Sequence, residues 1–363
     1  MTSKLVLLSI FLRTLPVFPI SIEKLNPKIV GGTNIEIDEF PFYVNILAYK
    51  IDQQTNKNIV GECGGSLIHD AWILTAAHCL VDRSRVVLTF GMHELDDLSG
   101  TEDRSVTSSD FIIHPEYWDS SQDANPSNYT GTLNDIALIS LENPISNFKN
   151  ILLTEENLQN AILTVVGSGA LDYSSKNSPE IVQKVDLDFI DFSVCKEKLQ
   201  LRAPSLKMNE TTQLCLGQMQ GGKDSCVGDS GGPAFLKNPE NDDFVQFGIV
   251  SYGFGCAEKD TPGVYTNVGA YSDWIFSVTN GTVEISPFVD TTTTKVSEFT
   301  TDLIVTTNSN QIANFTTDFN DDLNVTTVSS QNFTTTSEST TSSNSYLTKI
   351  NLMLLSILPL LTY

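Results

Sequence analysis

The sequence predicts an all-β chain, a sandwich or a barrel, and three observations carry that expectation. Short β-type runs at 42–49, 65–69, 72–75, 86–90, 136–141, 161–166, 247–251 and 263–268 are separated by turn residues. Only 268–278 reads as a helix, with Tyr271, Trp274, Ile275 and Val278 at helical spacing, and it stands at the end of that region. No alternation of strands with helices points to a parallel sheet. Hydrophobic residues make up 40% of the 363 positions, enough to build a packed core.

The β-type runs and all six cysteines fall within 29–280, and the flanks have a different character. Lys4 precedes an apolar core at 5–12. That is the order of a secretory signal peptide, assigned here to 1–21, although no small-x-small cleavage motif follows the core. Residues 281–345 hold 28 Ser or Thr among 65 positions and no Cys. Such a segment cannot bury enough apolar surface to offset its conformational entropy, so a disordered stalk is expected. N-x-S/T sequons at Asn280, Asn314, Asn324 and Asn332, with Asn128 and Asn209 in the β-rich region, are glycosylation acceptors in a secreted chain. The last segment, 346–363, follows the small polar residues Ser342, Ser343, Asn344 and Ser345 and carries an apolar run at 350–361. This order fits a GPI-attachment signal with Ser343 as the attachment residue; a frayed apolar tail or a marginal anchor is the alternative reading. No apolar run reaches the roughly 20 residues of a spanning helix.

With 21 basic against 44 acidic residues the chain carries a formal charge of −23. A protein that grips phosphates needs a basic surface, so nucleic acid is not an expected partner. The expected location is extracellular, secreted or on the outer cell surface. Six cysteines in an oxidising compartment suit three disulfides, with the pairing left open by spacing alone.

Three fragments carry chemistry: Leu74-Thr75-Ala76-Ala77-His78-Cys79, Asn134-Asp135-Ile136-Ala137-Leu138, and Asp224-Ser225-Cys226-Val227-Gly228-Asp229-Ser230-Gly231-Gly232-Pro233. Alone, a His beside a Cys can be a metal ligand or a core residue, and an Asp before an apolar run is usually a turn residue. Together, His78, Asp135 and Ser230 supply a base, an orienting carboxylate and a nucleophile. A serine hydroxyl is a poor nucleophile until an imidazole takes its proton, and the imidazole needs a carboxylate behind it to hold the correct tautomer. The glycines let a substrate carbonyl approach backbone N–H donors, for which Gly228 and Ser230 are the candidates. Losing one such donor costs about 3 kcal/mol of transition-state stabilisation.

The motifs IVGG, CGGSLI, TAAHC, NDIAL, GDSGGP and PGVYTNV follow one another in this order. Through them, residues 29–280 resemble the trypsin/chymotrypsin family of serine endopeptidases. The resemblance implies two packed antiparallel six-stranded β-barrels, with His78 as general base, Asp135 as orienting acid and Ser230 as nucleophile. It implies a zymogen with a short activation peptide at 22–28, cut after Lys28 by an activating protease. The new ammonium of Ile29 would then pair with Asp229, because a buried charge needs a partner. It places Asp224 at the floor of the pocket for the residue before the scissile bond, with Ser225 beside it and Gly253 and Gly263 as walls. A carboxylate there selects Arg or Lys. Ser251 would support the triad acid. The implied pairings are Cys63–Cys79, Cys195–Cys215 and Cys226–Cys256.

Several positions depart from the family pattern. Ser168 stands where tryptophan is usual, Tyr252 replaces another tryptophan, and 117–133 is long. Met92 follows Gly91 where the calcium loop of trypsin has Glu, so Asp96, Asp97, Glu102 and Asp103 are expected to hold no tightly bound ion. No metal, no cofactor and a monomer are expected. The competing reading is a catalytically silent, protease-like binding or adhesion module.

Overall fold

The computed structural model describes residues 29–95, 104–120, 131–156, 160–170, 179–238, 241–283 and 285, with the backbone of 303–306 and 312–315. The expected signal and activation peptides with Lys28, the acids Asp96, Asp97, Glu102 and Asp103, the sequons at Asn128, Asn324 and Asn332, and Ser343 with 346–363 lie outside the described residues. The chain divides into a unit spanning 1–289 and a second spanning 290–363.

In the first unit the strands are β1 (Thr33–Asn34), β2 (Tyr43–Ile51), β3 (Asn58–His69), β4 (Trp72–Thr75), β5 (Arg85–Phe90), β6 (Ser105–Ser108), β7 (Phe111–Ile113), β8 (Trp118–Asp119), β9 (Thr132–Leu133) and β10 (Ala137–Ser140), followed by β11 (Leu152–Leu153), β12 (Ile162–Gly167), β13 (Gln183–Ile190), β14 (Gln213–Gly217), β15 (Pro233–Lys237), β16 (Phe244–Tyr252) and β17 (Gly263–Asn267). The N-terminal sheet runs β6-β5-β2-β3-β4-β10-β7. β6 and β7 are successive segments of one chain pass that turns at Ser109 and Asp110. There Ser108 Oγ donates to the Ser140 carbonyl at 2.9 Å, and the Asp110 carbonyl accepts from Ser140 N–H at 2.9 Å. The chain itself therefore links the two ends of this half-barrel, where no ladder joins them. In the C-terminal half, β13-β12-β15-β16-β17-β14 close into a six-stranded barrel through pairing of β13 with β14.

Each barrel is built by side chains that alternate along strands and pack inward. In β13, Val185 and Leu187 are buried while Asp186 between them faces solvent. They join Leu163, Val165, Leu214, Leu216, Val245, Phe247 and Tyr265 in one core. The N-terminal core holds Ile46, Leu67, Ile73, Leu88, Phe90 and Leu138 and continues into the second half through Phe235 and Ile249. Phe40 and Phe42 meet Phe235 and Phe244 with centroids 5.0–5.6 Å apart, all edge-on or tilted, so aromatic packing joins the barrels. Ser66 Oγ donates to Gln246 Oε1 at 2.6 Å across the same interface, both residues fully buried.

The expected helix at 268–278 is a 3-10 turn, Val268–Tyr271, leading into α2 (Ser272–Val278). A second helix, α1 (Phe192–Arg202), was not expected from the sequence. Only Cys195 and Leu199 are buried on it, too thin a stripe to register as helical periodicity. Its N-cap is legible in retrospect: Asp191 accepts from the N–H groups of Ser193 and Val194. Core contacts continue past Asn280, where Val283 is 2% exposed and Ile285 bridges Leu153. In the second unit, β18 (Leu303–Thr306) pairs with β19 (Ile312–Phe315) within the segment expected to lack structure. Both are β-prone runs separated by only five residues in sequence, so the pairing is a local one. Among the described residues no helix is long and apolar enough to cross a membrane.

Candidate active site

Three loops between the barrels hold the predicted residues. β4 ends at Thr75, and one 3-10 turn, Ala77–Cys79, carries His78 onto the inter-barrel face. Asp135 stands just before β10, after Asn134 at φ +52°, and is only 2% exposed. Ser230 lies in the loop before β15, and its carbonyl accepts from Gly64 N–H of β3 at 2.7 Å. The His78 imidazole is 28% exposed.

His78 Nδ1 donates to Asp135 Oδ2 at 2.8 Å, and His78 N–H donates to Asp135 Oδ1 at 2.9 Å. Ser251 Oγ adds a third bond to Asp135 Oδ2 at 2.6 Å. Thr266, which the sequence did not single out, donates to the Asp135 carbonyl at 2.7 Å. The carboxylate is thus held from three sides, and Nδ1–H is committed to it, which leaves Nε2 as the free base. Burial works to lower the His78 imidazole, but the charge and hydrogen bond of Asp135 outweigh it and hold the group above its ordinary value. Burial works to raise Asp135; His78 and the Ser251 hydroxyl outweigh it and hold the acid below its ordinary value. Cys79 Sγ lies 3.8 Å from His78 Nε2 and 3.6 Å from the Ser230 carbonyl, so base and serine share one corner.

The loop of Ser230 is bent by glycine. Gly228 has φ +100° and Gly231 φ +80°, conformations that other residues adopt only under strain. A Cβ on Gly231 would collide with Thr75 Oγ1. Asp229 N–H turns back to the Cys226 carbonyl at 3.0 Å, and Gly231 N–H pairs with Val250 at 2.8 Å. Among the described residues, no protein acceptor faces the N–H of Gly228 or of Ser230.

Beside Ser230 a pocket of about 110 Å³ is lined by Asp224, Ser225, Ser251, Tyr252, Gly253 and Gly263, among others. Asp224 is 4% exposed. Its Oδ2 accepts from Ala257 N–H at 2.9 Å, while Oδ1 has no hydrogen-bond partner. Burial pushes its carboxyl up to about 7. A Cβ on Gly263 would stand 3.3 Å from Asp224 Oδ1, so the wall glycine keeps the acid reachable. Ser225 Oγ is held by the Tyr265 hydroxyl at 2.9 Å.

Five residues on, Asp229 is fully buried. Its Oδ1 accepts from Gly169 N–H and its Oδ2 from Cys226 N–H, both at 2.8 Å. Burial raises this carboxyl too, to about 7. A Cβ on Gly167, the last residue of β12, would collide with the carboxylate, so that position requires glycine. Ser168, between these glycines, accepts from Asn45 Nδ2 at 2.9 Å and pairs with the Tyr43 hydroxyl at 3.1 Å. A buried polar network thus surrounds the serine where the family usually has tryptophan. Ile29 is fully buried at φ +37°, a strained conformation for a β-branched residue.

The disulfides are Cys63–Cys79, Cys195–Cys215 and Cys226–Cys256, with Cα separations of 6.3, 6.4 and 5.4 Å. Cys63, His78 and Cys79 cluster as metal ligands would, but both sulfurs are spent in the bridge and offer no thiolate.

The trypsin family model matches residues 29–275. Trypsin-3 of Salmo salar is 34% identical over 266 residues, covering 72% of this chain and 96% of that protein. Cationic trypsin-3 of Rattus norvegicus is 34% identical over 253 residues, 68% of this chain and 88% of its own. The snake venom serine protease serpentokallikrein-2 of Protobothrops mucrosquamatus is 33% identical over 270 residues, 73% and 92%. A closed β-barrel facing a half-barrel, the serine, histidine and aspartate between them, and this extent of likeness agree: the chain belongs to the trypsin family of serine endopeptidases.

Proposed function

We propose that this endopeptidase cuts after Arg or Lys, is made as a zymogen opened at Lys28–Ile29, and works outside the cell. The unpartnered Oδ1 of buried Asp224 at the pocket floor carries the first part. A buried carboxylate without a partner is costly, and an Arg or Lys side chain from a substrate supplies both charge and donors.

In the proposed reaction, Ser230 Oγ attacks the substrate carbonyl carbon while His78 Nε2 takes its proton. The oxyanion that forms is met by the N–H groups of Gly228 and Ser230. His78 returns the proton to the leaving amine, which departs and leaves an acyl-serine. Water, deprotonated by the same imidazole, then attacks the acyl carbon and restores Ser230. Asp135 keeps the imidazole in register and stabilises its cation.

Two observations support the zymogen. Asp229 is buried and bonded only to backbone N–H groups, with no cation paired to it among the described residues, and Ile29 sits buried at positive φ in one core with Leu163 and Val165. Cutting before Ile29 removes that φ constraint, worth about 1–3 kcal/mol, and creates the missing ammonium. Three disulfides suit an oxidising compartment, and the sequon residues Asn209 and Asn280 are exposed. A GPI lipid near Ser343 would hold the enzyme on the outer surface as a monomer; release of activity from cells by phosphatidylinositol-specific phospholipase C tests that part.

The test of the reaction is a fluorophosphonate probe with and without cleavage at Lys28. Labelling of Ser230 only in the cut chain, with hydrolysis of Arg and Lys peptides, is the expected result. Ser230→Ala should lose turnover by roughly 10⁴-fold or more, and adding His78→Ala should cost little more, because the two act as a unit. A cut chain that takes no label would instead indicate the silent binding module.

A further inference from the structure

Asp135 works through the direction of its carboxylate, and the turn that sets this direction is held from outside the triad. Asn134, the residue before it, has φ +52°, a left-handed conformation that Asn adopts more readily than most side-chain-bearing residues but still at a cost. The Asn134 carbonyl accepts from Ile136 N–H at 2.9 Å, so Asp135 is the middle residue of a three-residue turn. The Asn134 side chain is gripped at both ends. Its Nδ2 donates to the Glu116 carbonyl at 2.7 Å, and its Oδ1 accepts from the Tyr271 hydroxyl at 2.9 Å. Tyr271 comes from the 3-10 turn after β17, 137 residues further along the chain, and is 4% exposed. Its ring meets His114 edge-on with centroids 5.2 Å apart, and His114 in turn meets Trp274 at 5.1 Å. Burial pushes the phenol up to about 12, so the hydroxyl keeps its proton and stays a donor at neutral pH.

The C-terminal 3-10 turn therefore reaches the triad acid through one side chain. Two bonds to the Asn134 amide hold its backbone in the left-handed region. Without them the residue can relax toward the commoner negative-φ basins, and the peptide leading into Asp135 turns with it. Asp135 has both oxygens engaged, Oδ1 by His78 N–H and Oδ2 by His78 Nδ1 and Ser251 Oγ, an arrangement that needs the carboxylate in one orientation. We propose that Tyr271 is a positioning residue for the hydrolysis: its hydroxyl, through the Asn134 side chain, holds the turn that aims the Asp135 carboxylate at His78. Tyr271 acts through Asn134 and not on the reacting atoms. The proposal rests on the triad reading of the reaction.

The experiment uses the cut full chain, a fluorogenic Ala-Leu-Arg peptide and two variants. Tyr271→Phe removes only the hydroxyl and leaves the ring to pack on His114. Asn134→Gly keeps the left-handed turn accessible and removes the side chain through which the hydroxyl acts. Each should lower kcat roughly tenfold with KM within about twofold, the size expected of a small misplacement of a catalytic group. Each should move the acid limb of kcat/KM to lower pH by about half a unit, because a carboxylate that slips from Nδ1 raises the imidazole less. Asp119 and Arg83, the other charged groups felt at His78, are the same in all variants. In the double variant the hydroxyl has nothing left to act on, so the second change should cost less than about twofold more. A readout free of activity is the His78 titration by NMR in the cut Ser230→Ala chain, which should fall by the same half unit. A lower melting temperature with kcat and the His78 titration unchanged overturns the proposal, and so does a Tyr271→Phe loss that is undiminished on the Asn134→Gly background. If Tyr271→Phe does not fold, Asn134→Gly decides by the same readouts. If the wild-type cut chain refuses the peptide, the pocket or reaction reading has failed instead, and the His78 titration in the two variants decides.

Discussion

Asp224 and Asp229 are five residues apart, both buried, both pushed to about 7 by burial, and both packed near glycines, yet their surroundings differ. Asp224 opens on a pocket and keeps one oxygen without a partner. Asp229 is sealed, each oxygen accepting a backbone N–H, with Gly167 and Gly169 packed against it. In the proposed function the same side chain under the same burial cost would await a cation from outside in one case and one made by the chain itself in the other. Which of the two it does is set by whether the surroundings are open or closed.

Replacing each acid should separate these roles, and this is the largest effect. In the cut chain, Asp229→Asn should lower kcat by roughly 10²-fold or more on every substrate, because the loop carrying Gly228 and Ser230 loses its anchor. Asp224→Ser should lower kcat/KM by roughly 10⁴-fold for Arg and Lys peptides, while leaving weak cleavage after apolar residues in place. Equal losses on all peptides for both variants would dissolve the distinction.

A smaller effect is expected from pH. A cationic inhibitor such as benzamidine binds the ionised form of Asp224, so a proton competes with it. Affinity should be flat above pH 7 and fall toward a tenfold loss per unit below, following the carboxyl at about 7. Asp224→Ser should abolish most of this dependence. The kcat/KM profile should have its acid limb at the raised His78 value, activity being lost as the imidazole protonates.

The smallest effect lies in thermal stability, best measured with Ser230→Ala to prevent self-digestion. In the uncut chain both aspartates hold protons that the unfolded chain releases from 3.8 upward, so stability falls as pH rises from 3.8 to 7. In the cut chain an ammonium partner would depress Asp229 and reverse its sign, adding stability at neutral pH that is lost on acidification. Asp224 contributes equally to both forms. The difference in melting temperature between cut and uncut chains should therefore widen from pH 5 to 7. A difference that does not change with pH would mean that Asp229 gains no cation on cleavage.

Much of the β architecture could be read from turn-bounded apolar runs, and the fragments around His78, Asp135 and Ser230 stood out because they combine chemistry-bearing residues with glycine. Other elements were hidden. β13 mixes Lys184, Asp186 and Asp188 with Val185 and Leu187, so its outward face dilutes the apolar signal. α1 has only a thin buried stripe. Thr266, Tyr265, Gly167 and Gly169 are ordinary in sequence, and their roles come from what lies opposite them: the carbonyl of Asp135, the hydroxyl of Ser225 and the carboxylate of Asp229.

The sequence by itself determined which residues carry chemistry, their order along the chain, and the glycines that backbone geometry requires, because these are local properties of side chains and dihedral angles. Only the tertiary structure decided that His78 and Asp135, 57 residues apart, meet at 2.8 Å, and that one of two neighbouring aspartates is open and the other sealed. Burial and charge act through space, and two barrels must close and pack before residues distant in the chain share one low-dielectric corner.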